Sequence, residues 1–512
     1  MPVPVDLQFV DGNEFVLGNN TVLLISDTTL NKSASYLKDY LLKHYGIVVH
    51  TLPYLSNESK NNTIRLIKTA IVSAHADQYE LATSNKTTEI TSSTNEGIFY
   101  GVQTLIQLFP TSRSPEKSIK IAGLKINDYP RFAYRGMHLD VSRHFFDIAF
   151  VKKYIDYLAM HKMNYFHWHL TDDHGWRIEI KKHPKLTDIG AWRNGTIIGL
   201  YPGTGNDRKR YGGYYTQQEI KEVIRYASER YITIIPEIEM PAHSMAVLAA
   251  YPELGTEPNK KYEVAQTWGI FNKFNNVLQP TEKTFTFLEE VLIEVMDLFP
   301  SSYIHIGGDE AARKWWAQSV VSQQVKTKNK LKDESELQSY FIHRIEKFVN
   351  SKGKTIIGWD EILDGGLAPN AIVMSWRGEK GGIAAAKQKH KVIMTPENFM
   401  YFNHAQFLKE DSLTASRYVP LKTVYEYEPV PDVLSKEEIK FIWGAQGNLW
   451  SEYISNPARA EYMLFPRLDA LSEVLWSPKE KRNFTEFKER LKTQLKRYDL
   501  LKINYSQRYL EN

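Results

Sequence analysis

The sequence predicts an α/β protein in which a (β/α)8 barrel follows a smaller α+β domain. Three observations predict this class: a length of 512 residues, eight short apolar runs that each precede a helix-like segment, and acidic or aromatic clusters where those runs end. A chain of this length exceeds what one hydrophobic core usually organises, so a large barrel with an added smaller unit is expected.

The composition excludes several other classes. Hydrophobic residues make up 42% and aromatic residues 12%, without repeats, so disordered and fibrous proteins are excluded. A net charge of +4 with interspersed signs gives no basic field for nucleic acid, which we do not expect as a partner. The absence of cysteine excludes disulfides, a thiolate nucleophile and cysteine-based metal sites.

The beginning of the chain indicates no targeting segment. Met1 to Val10 lacks a basic start followed by an apolar run, and no stretch approaches the length of a membrane span. We therefore expect no membrane span. The compartment stays open: periplasmic or secreted if a signal peptide has been removed, and otherwise cytoplasmic.

The first segment of the chain is predicted to be the smaller domain. Strand-like runs alternate there with two helices, Ser33 to Tyr45 and Gly97 to Leu108, and Asp128-Tyr-Pro130 gives a turn signal before the pattern changes. We expect a non-catalytic domain over 1–128 and a catalytic barrel over 129–512, closed by a helix within Pro478 to Leu501.

The catalytic segment contains the eight strand candidates. They are Gly136–Val141, Asn164–Leu170, Thr233–Ile238, Tyr303–Ile306, Thr355–Trp359, Ala371–Trp376, Val392–Thr395 and Phe441–Gly444. Eight successive β-then-α units favour a (β/α)8 TIM barrel, with the longest loops after the second and third strands. A doubly wound open sheet is the alternative.

The ends of these strands indicate the chemistry, because the loops after parallel barrel strands surround one basin. In strand order they carry Asp140 and Arg143; Asp172, Asp173 and His174; Glu237, Glu239 and His243; Asp309 and Glu310; Trp359, Asp360 and Glu361; Trp376; Tyr401 and Asn403; Trp450 and Glu452. Carboxylates and an arginine can bind hydroxyl groups, and indole faces cover the apolar face of a pyranose ring. The pattern predicts a carbohydrate pocket.

The segment Tyr303-Ile-His-Ile-Gly-Gly-Asp-Glu310 is the most informative. Neighbouring side chains on a strand point to opposite faces, so both carboxylates reach the pocket only if Gly307-Gly308 bends the chain. Two such carboxylates repel, which is expected to raise the pKa of one and supply a proton donor near neutral pH.

A metal site is the alternative chemistry. His167 and His169 are two apart on one strand, with Asp172 and Asp173 nearby, and this spacing can chelate a divalent ion in a metal-dependent amidohydrolase. That arrangement would leave Asp309 and Glu310 without a role, so we expect no metal and no cofactor. Histidines packed against the barrel wall are the simpler interpretation.

Taken together, the motifs resemble family 20 glycoside hydrolases, the β-N-acetylhexosaminidases. The resemblance rests on six segments and extends into the N-terminal domain through Gly97 to Leu108. The segments are Arg135-Gly-Met-His-Leu-Asp-Val-Ser-Arg143-His-Phe, His167-Trp-His-Leu-Thr-Asp172-Asp, Pro236-Glu-Ile-Glu-Met-Pro-Ala-His243-Ser, His305-Ile-Gly-Gly-Asp309-Glu310, Gly358-Trp359-Asp-Glu and Leu449-Trp450-Ser-Glu452.

This resemblance implies substrate-assisted catalysis, in which the 2-acetamido group of the sugar is the nucleophile. It implies Glu310 as general acid/base, Asp309 and Tyr401 as partners of the acetamido group, and Asp172 with His243 as a relay behind Glu310. Trp359, Trp376 and Trp450 would form the pocket walls. Arg143, Asn403 and Glu452 would bind hydroxyl groups.

The implied activity is exo-acting, retaining release of terminal GlcNAc, and as a second substrate GalNAc, from β-linked oligosaccharides or glycans. A disaccharide-releasing relative such as a lacto-N-biosidase is the close alternative, and a non-catalytic lectin would lack Glu310. The sequence departs from the family pattern at Glu239, Ala242 and Asn403, where Asp, Gly and Asp are more usual. These departures bear on specificity.

Overall fold

The N-terminal unit is a seven-stranded mixed sheet with two helices. The computed structural model describes residues 2–55, 61–113, 115–410 and 412–511. The strand order is β1-β7-β5-β6-β4-β2-β3. The strands are β1 (Asp6–Leu17), β2 (Val22–Ile25), β3 (His50–Pro53), β4 (Thr63–Lys68), β5 (Tyr79–Thr83), β6 (Thr87–Ser92) and β7 (Ile119–Asp128); the helices are α1 (Asn31–Tyr45) and α2 (Asn95–Gln107).

The second unit is a closed barrel of eight parallel strands, which confirms the predicted fold class. Its strands are β8 (Tyr134–Asp140), β9 (Tyr165–His169), β10 (Thr233–Met240), β11 (Tyr303–Gly307), β12 (Thr355–Trp359), β13 (Ile372–Ser375), β14 (Val392–Met394) and β15 (Ile442–Leu449). The main helices around it are α3 (Ile148–Met160), α4 (Gln217–Ser228), α5 (Glu282–Leu298), α6 (Glu334–Ser351), α7 (Lys380–Lys387), α8 (Leu421–Glu426), α9 (Arg467–Trp476) and α10 (Phe484–Leu501).

Two details of the barrel differ from the sequence-based prediction. β15 continues to Leu449, beyond the predicted end at Gly444, because Gln446 points into the barrel and accepts a hydrogen bond from the Tyr134 hydroxyl at 2.6 Å. The segment after β12 is a 3₁₀ turn, Asp360–Leu363, instead of a longer helix. Gly365 and Gly366 follow this turn with φ values of 76° and 119°, which turn the chain away from a helical path.

A buried carboxylate fixes the two units to each other. The Asp128 side chain accepts hydrogen bonds from the Tyr79 hydroxyl at 2.6 Å, the Trp476 indole at 2.9 Å and the Lys162 ammonium at 3.2 Å. Asp128 ends the N-terminal sheet, whereas Lys162 and Trp476 belong to the barrel. All three donors converge on one fully buried carboxylate, so this contact fixes how the sheet is oriented on the barrel.

The functional face lies where the barrel strands end. The loops after β9 and β10 are long, as predicted, and carry short strands and helices of their own over this face. Among the described residues, no helix is long and apolar enough to cross a bilayer.

Candidate active site

The chain bends sharply where β11 ends. Gly307 and Gly308 have φ values of 67° and 92°, and Glu310 lies at 46°, so three of four consecutive residues occupy the left-handed region. A Cβ atom at Gly307 would lie 1.7 Å from an oxygen of Glu239, so any other residue there would have to displace the Glu239 carboxyl group or the turn. The bend turns both Asp309 and Glu310 toward the same histidine: His243 Nε2 is 3.4 Å from each carboxylate.

His243 connects these two carboxylates to a second acidic pair. Its Nδ1 atom is 2.9 Å from Asp173 and 3.5 Å from Asp172. Although burial lowers the pKa of His243, the charges of Asp172, Asp309 and Asp173 raise it well above the ordinary histidine value. The ring therefore holds its proton and can offer an N–H group to the carboxylates on each side. Asp173, to which the sequence assigned no role, is nearer to His243 than Asp172 is.

Arg143 is held over the basin by two carboxylates. Its guanidinium is 2.8 Å from Asp172 and 3.3 Å from Asp140, and it stacks on the Trp450 ring at 4.9 Å. Asp140 also accepts the backbone N–H groups of the turn that carries Arg143. The guanidinium is thereby fixed in position before any ligand binds.

Aromatic side chains form a wall of the basin, and Trp450, on which Arg143 stacks, belongs to it. The ring centroids of Trp359 and Trp450 are 5.8 Å apart, and Tyr401 is 6.2 Å from both Trp450 and Trp376. The ring of Tyr401 is nearly parallel to that of Trp376, with an interplanar angle of 17°. Four aromatic rings from the ends of four different barrel strands thus meet around one space, which suits a flat apolar surface of a ligand.

The remaining predicted residues are less connected. Glu452 lies close enough for the charge of Arg143 to act on its carboxyl group, whose pKa burial raises. Asn403 follows Tyr401 by two residues and is 9% exposed. Among the described contacts, none joins the Asn403 side chain to another predicted site residue, and its Oδ1 atom has no hydrogen-bond partner.

The sequence predicts a raised pKa for one carboxylate of the Asp309–Glu310 pair, but the neighbouring groups with a raised pKa are Glu239 and Glu361. Burial would raise the pKa of Glu310, but the hydrogen bond and the charge of His243 hold it below the ordinary glutamate value. Burial and the charge of Asp309 instead raise the pKa of Glu239 and Glu361 well above the ordinary value. For Glu310 the expectation is wrong because the positive charge of His243 lies beside its carboxyl group.

His167 and His169 are engaged in hydrogen bonds inside the barrel. His167 accepts from the Gln446 amide at 3.0 Å and lies 3.0 Å from Glu237 through its other nitrogen. His169 bonds Glu237 through Nδ1 and Asp172 through Nε2, the latter at 3.0 Å. Both rings lie fully buried inside the barrel and contact the Glu237 carboxylate, which is the packing expected of histidines on the barrel wall.

Glu237 is a site residue that the sequence left without a role. It accepts a hydrogen bond from the Trp359 indole at 2.8 Å and is fully buried. Glu361 does the same for Trp376, at 2.9 Å. The alternation of β10 placed Glu237 inside the barrel, but only the three-dimensional structure shows that it holds a wall of the basin.

Comparison with known proteins identifies a family for both units. The description "Glycosyl hydrolase family 20, catalytic domain" matches residues 132–479, and "Glycosyl hydrolase family 20, domain 2" matches residues 1–129. A β-hexosaminidase from Porphyromonas gingivalis is 40% identical over 510 residues, covering 98% of this chain and 64% of the relative. The chain therefore spans about two thirds of that protein's length.

Two further relatives agree. A β-hexosaminidase from Vibrio furnissii is 37% identical, covering 92% of this chain and 75% of the relative. The crystal structure of an exo-β-N-acetylglucosaminidase from Vibrio harveyi, bound to N-acetylglucosamine, is 33% identical and superimposes with a TM-score of 0.88, covering 99% of this chain and 78% of that one. The motif resemblance is confirmed.

Proposed function

The chain belongs to glycosyl hydrolase family 20, and on that premise we propose that it is an exo-acting, retaining β-N-acetylhexosaminidase of terminal β-linked GlcNAc. One observation carries the proposal: Asp309 and Glu310 both lie 3.4 Å from the same His243 nitrogen, at the edge of a basin with aromatic walls. The division at residue 128 into a non-catalytic and a catalytic domain is part of the proposal.

Glu310 is the general acid/base. In the first step it donates its proton to the glycosidic oxygen while the acetamido oxygen of the sugar attacks the anomeric carbon, and the bond to the leaving group breaks. In the second step the Glu310 carboxylate takes a proton from water, which attacks the same carbon and restores the acetamido group. Two inversions give overall retention.

The protonation of Glu310 depends on substrate binding. In the free site the Glu310 side chain is 35% exposed and its pKa is low because of His243. A sugar lying over it removes that water, and loss of solvation raises the pKa of a carboxyl group. The covered carboxyl group therefore takes up a proton from solvent as the sugar binds, and His243, held by Asp173 and Asp172, stays beside it as a hydrogen-bond donor.

Asp309 and Tyr401 act on the acetamido group. Asp309 accepts the acetamido N–H and balances the positive charge of the oxazolinium ion as the oxygen attacks. Tyr401 donates its hydroxyl proton to that oxygen. Burial raises the pKa of Tyr401 well above the ordinary tyrosine value, so the hydroxyl remains a donor.

The walls and the polar residues select the sugar. Trp359, Trp376 and Trp450 enclose the acetamido methyl and one ring face, and Arg143, Asn403 and Glu452 bind hydroxyl groups. GlcNAc at the non-reducing end of chito-oligosaccharides or glycans is the proposed substrate, and GalNAc is the second candidate.

Tetra-N-acetylchitotetraose tests the exo-acting assignment. We expect GlcNAc and tri-N-acetylchitotriose as the first products, with the β-anomer of GlcNAc formed first in a proton NMR time course. The variant Glu310→Gln prepared in parallel controls for contaminating hydrolases. Release of a disaccharide from the non-reducing end of longer chains, or the α-anomer as first product, would contradict the proposal.

A further inference from the structure

A single carboxylate occupies the centre of the barrel beneath the basin. The oxygens of Glu237 lie 2.8 Å from Trp359 Nε1, 2.8 Å from His305 Nδ1 and 3.0 Å from His167 Nε2, and they also bond His169 Nδ1. Glu237 is fully buried. Burial would raise its pKa, but the surrounding histidines hold it well below the ordinary glutamate value, so Glu237 is ionised.

His169 lies between this carboxylate and a second one. Its Nδ1 atom bonds Glu237, and its Nε2 atom is 3.0 Å from Asp172. Because each ring nitrogen faces an acceptor that cannot donate, both nitrogens carry hydrogen and the ring is an imidazolium. Burial lowers the pKa of His169, but Glu237 and Asp172 raise it to about 10.

His167 offers an internal comparison on the same strand. It is also fully buried and also contacts Glu237, but its second nitrogen accepts from the Gln446 amide. Burial therefore prevails, and the pKa of His167 falls to about 4. Two histidines that share one carboxylate thus differ in charge at neutral pH.

The groups that face His169 come from several elements. They are Glu237 and Glu239 from β10, His138 and Asp140 from β8, Asp172 from the turn after β9, and the Trp450 ring, whose centroid is 4.9 Å away. Burial lowers the pKa of His138 well below the ordinary value, so His138 adds no charge. His169 is thus a cation among four carboxyl groups, of which Glu239 has a pKa that burial and the charge of Asp309 raise.

Each carboxylate that contacts His169 also fixes a side chain on a different side of the basin. Glu237 fixes the indole of Trp359, a wall. Asp172 fixes the guanidinium of Arg143 at 2.8 Å and lies 3.5 Å from His243, which contacts the catalytic pair. A continuous chain of hydrogen bonds and ion pairs therefore runs from the aromatic wall to the relay, and His169 is its middle member.

We propose that His169 is a permanently charged positioning residue that couples the wall Trp359 to the hydroxyl-binding Arg143 and to the relay behind Glu310. It touches no substrate. Its charge keeps both neighbouring carboxylates ionised, and its two N–H groups set the distance between the two sides of the basin. The inference rests on the proposed function of the site.

The variant His169→Gln, with His167→Gln as the matched control, tests this role. Both changes remove a buried histidine of β9 that contacts Glu237, but only His169→Gln removes a charge. We expect kcat of His169→Gln to fall up to about 100-fold, with KM rising less, because the catalytic groups are displaced. Its pH–activity profile should shift upward by about 1 unit, since carboxylates that lose a neighbouring cation ionise at higher pH. His167→Gln should lower kcat without moving the profile.

The balance of positive and negative charge around this position can be restored without the histidine. In the double variant His169→Gln/Glu237→Gln a cation and an anion are removed together, so the profile should return toward that of the wild type. Equal pH shifts in the two single variants, or no return in the double variant, would overturn the proposal. Melting temperatures of all variants show whether they fold.

A measurement that needs no activity separates this proposal from the proposed function. In ¹⁵N-histidine NMR of the wild-type protein at pH 8, the His169 ring should show both nitrogens protonated, while His167 shows one. The signals are assigned by their loss in the two variants, or by their perturbation in Glu237→Gln if a histidine variant does not fold. A neutral His169 ring refutes the proposal whatever the substrate is. Failure of the wild type to cleave β-N-acetylglucosaminides refutes only the proposed function.

Discussion

Replacement of Gly307 by alanine is the change that most directly probes the catalytic turn. Gly307 has a φ of 67°, and an added Cβ would lie 1.7 Å from Glu239 Oε2. Gly353 has a similar φ of 75°, but a Cβ there meets nothing within 4 Å. Both changes therefore carry a similar backbone strain of roughly 1–2 kcal/mol, but only the one at Gly307 adds a collision and lies next to Asp309 and Glu310.

The geometry gives the size of the effect. A contact of 1.7 Å must open to at least 3.0 Å, so either the turn or the Glu239 carboxyl has to move by about 1.3 Å. Glu239 is 2% exposed and lies where the charge of Asp309 acts on it, so movement of either group disturbs the catalytic pair. A misplacement of about 1 Å can lower a rate about 100-fold.

We therefore expect Gly307→Ala to lower kcat on an aryl N-acetyl-β-glucosaminide by about 100-fold. Gly353→Ala should keep the wild-type kcat and lose only a little thermal stability. The assay is steady-state hydrolysis of the aryl glycoside alongside a melting curve for each variant. If the two variants have the same kcat, the close packing of Gly307 on Glu239 does not position Asp309 and Glu310, and the reasoning fails.

Three further predictions concern the carboxyl groups and metal independence. Glu310→Gln should lose about 10²- to 10⁴-fold in rate on substrates with poor leaving groups and much less on those needing little protonation; equal losses on both would contradict the acid role. EDTA should leave activity unchanged, because the side chains and the substrate's amide fill every role, and activity that falls in EDTA and returns with zinc would revive the metal alternative of His167 and His169. Burial and the charges of Asp309 and Asp360 raise the pKa of Glu361, so the folded state binds its proton more tightly than the unfolded state does. That contribution to stability is complete below the unfolded glutamate pKa and is lost as pH rises through the folded value. The melting temperature of Glu361→Gln should therefore rise relative to that of the wild type as the pH increases. If the melting temperatures of the two proteins change in parallel with pH, the assignment is refuted.

Local sequence patterns were sufficient to predict the barrel and the acidic, aromatic basin. Apolar runs of four to eight residues reveal buried parallel strands, and the residues after them fall on one face by topology. β15 was underestimated because Gln446 and Asn448 interrupt its apolar run, although both are fully buried inside the barrel. From the sequence alone, a buried polar residue that is hydrogen-bonded inside the barrel cannot be distinguished from the first polar residue of a loop.

The acidic contacts of His243 show a second limit of prediction from the sequence. Asp172 and Asp173 are adjacent, and the turn after β9 decides which of them reaches His243. The nearer is Asp173, at 2.9 Å, while Asp172 turns to Arg143 and His169. The pKa of Glu310 could not be predicted either, because it depends on a histidine that is 67 residues earlier in the chain.

The acetamido group of the substrate provides the most direct test of the central claim. An intramolecular nucleophile held at the reacting carbon is worth up to roughly 7–11 kcal/mol. The kcat/KM of the wild-type protein for an aryl N-acetyl-β-glucosaminide should therefore exceed that for the matching aryl β-glucoside by orders of magnitude. Similar values for the two substrates, or a covalent sugar trapped on any carboxylate of this chain, would contradict the account.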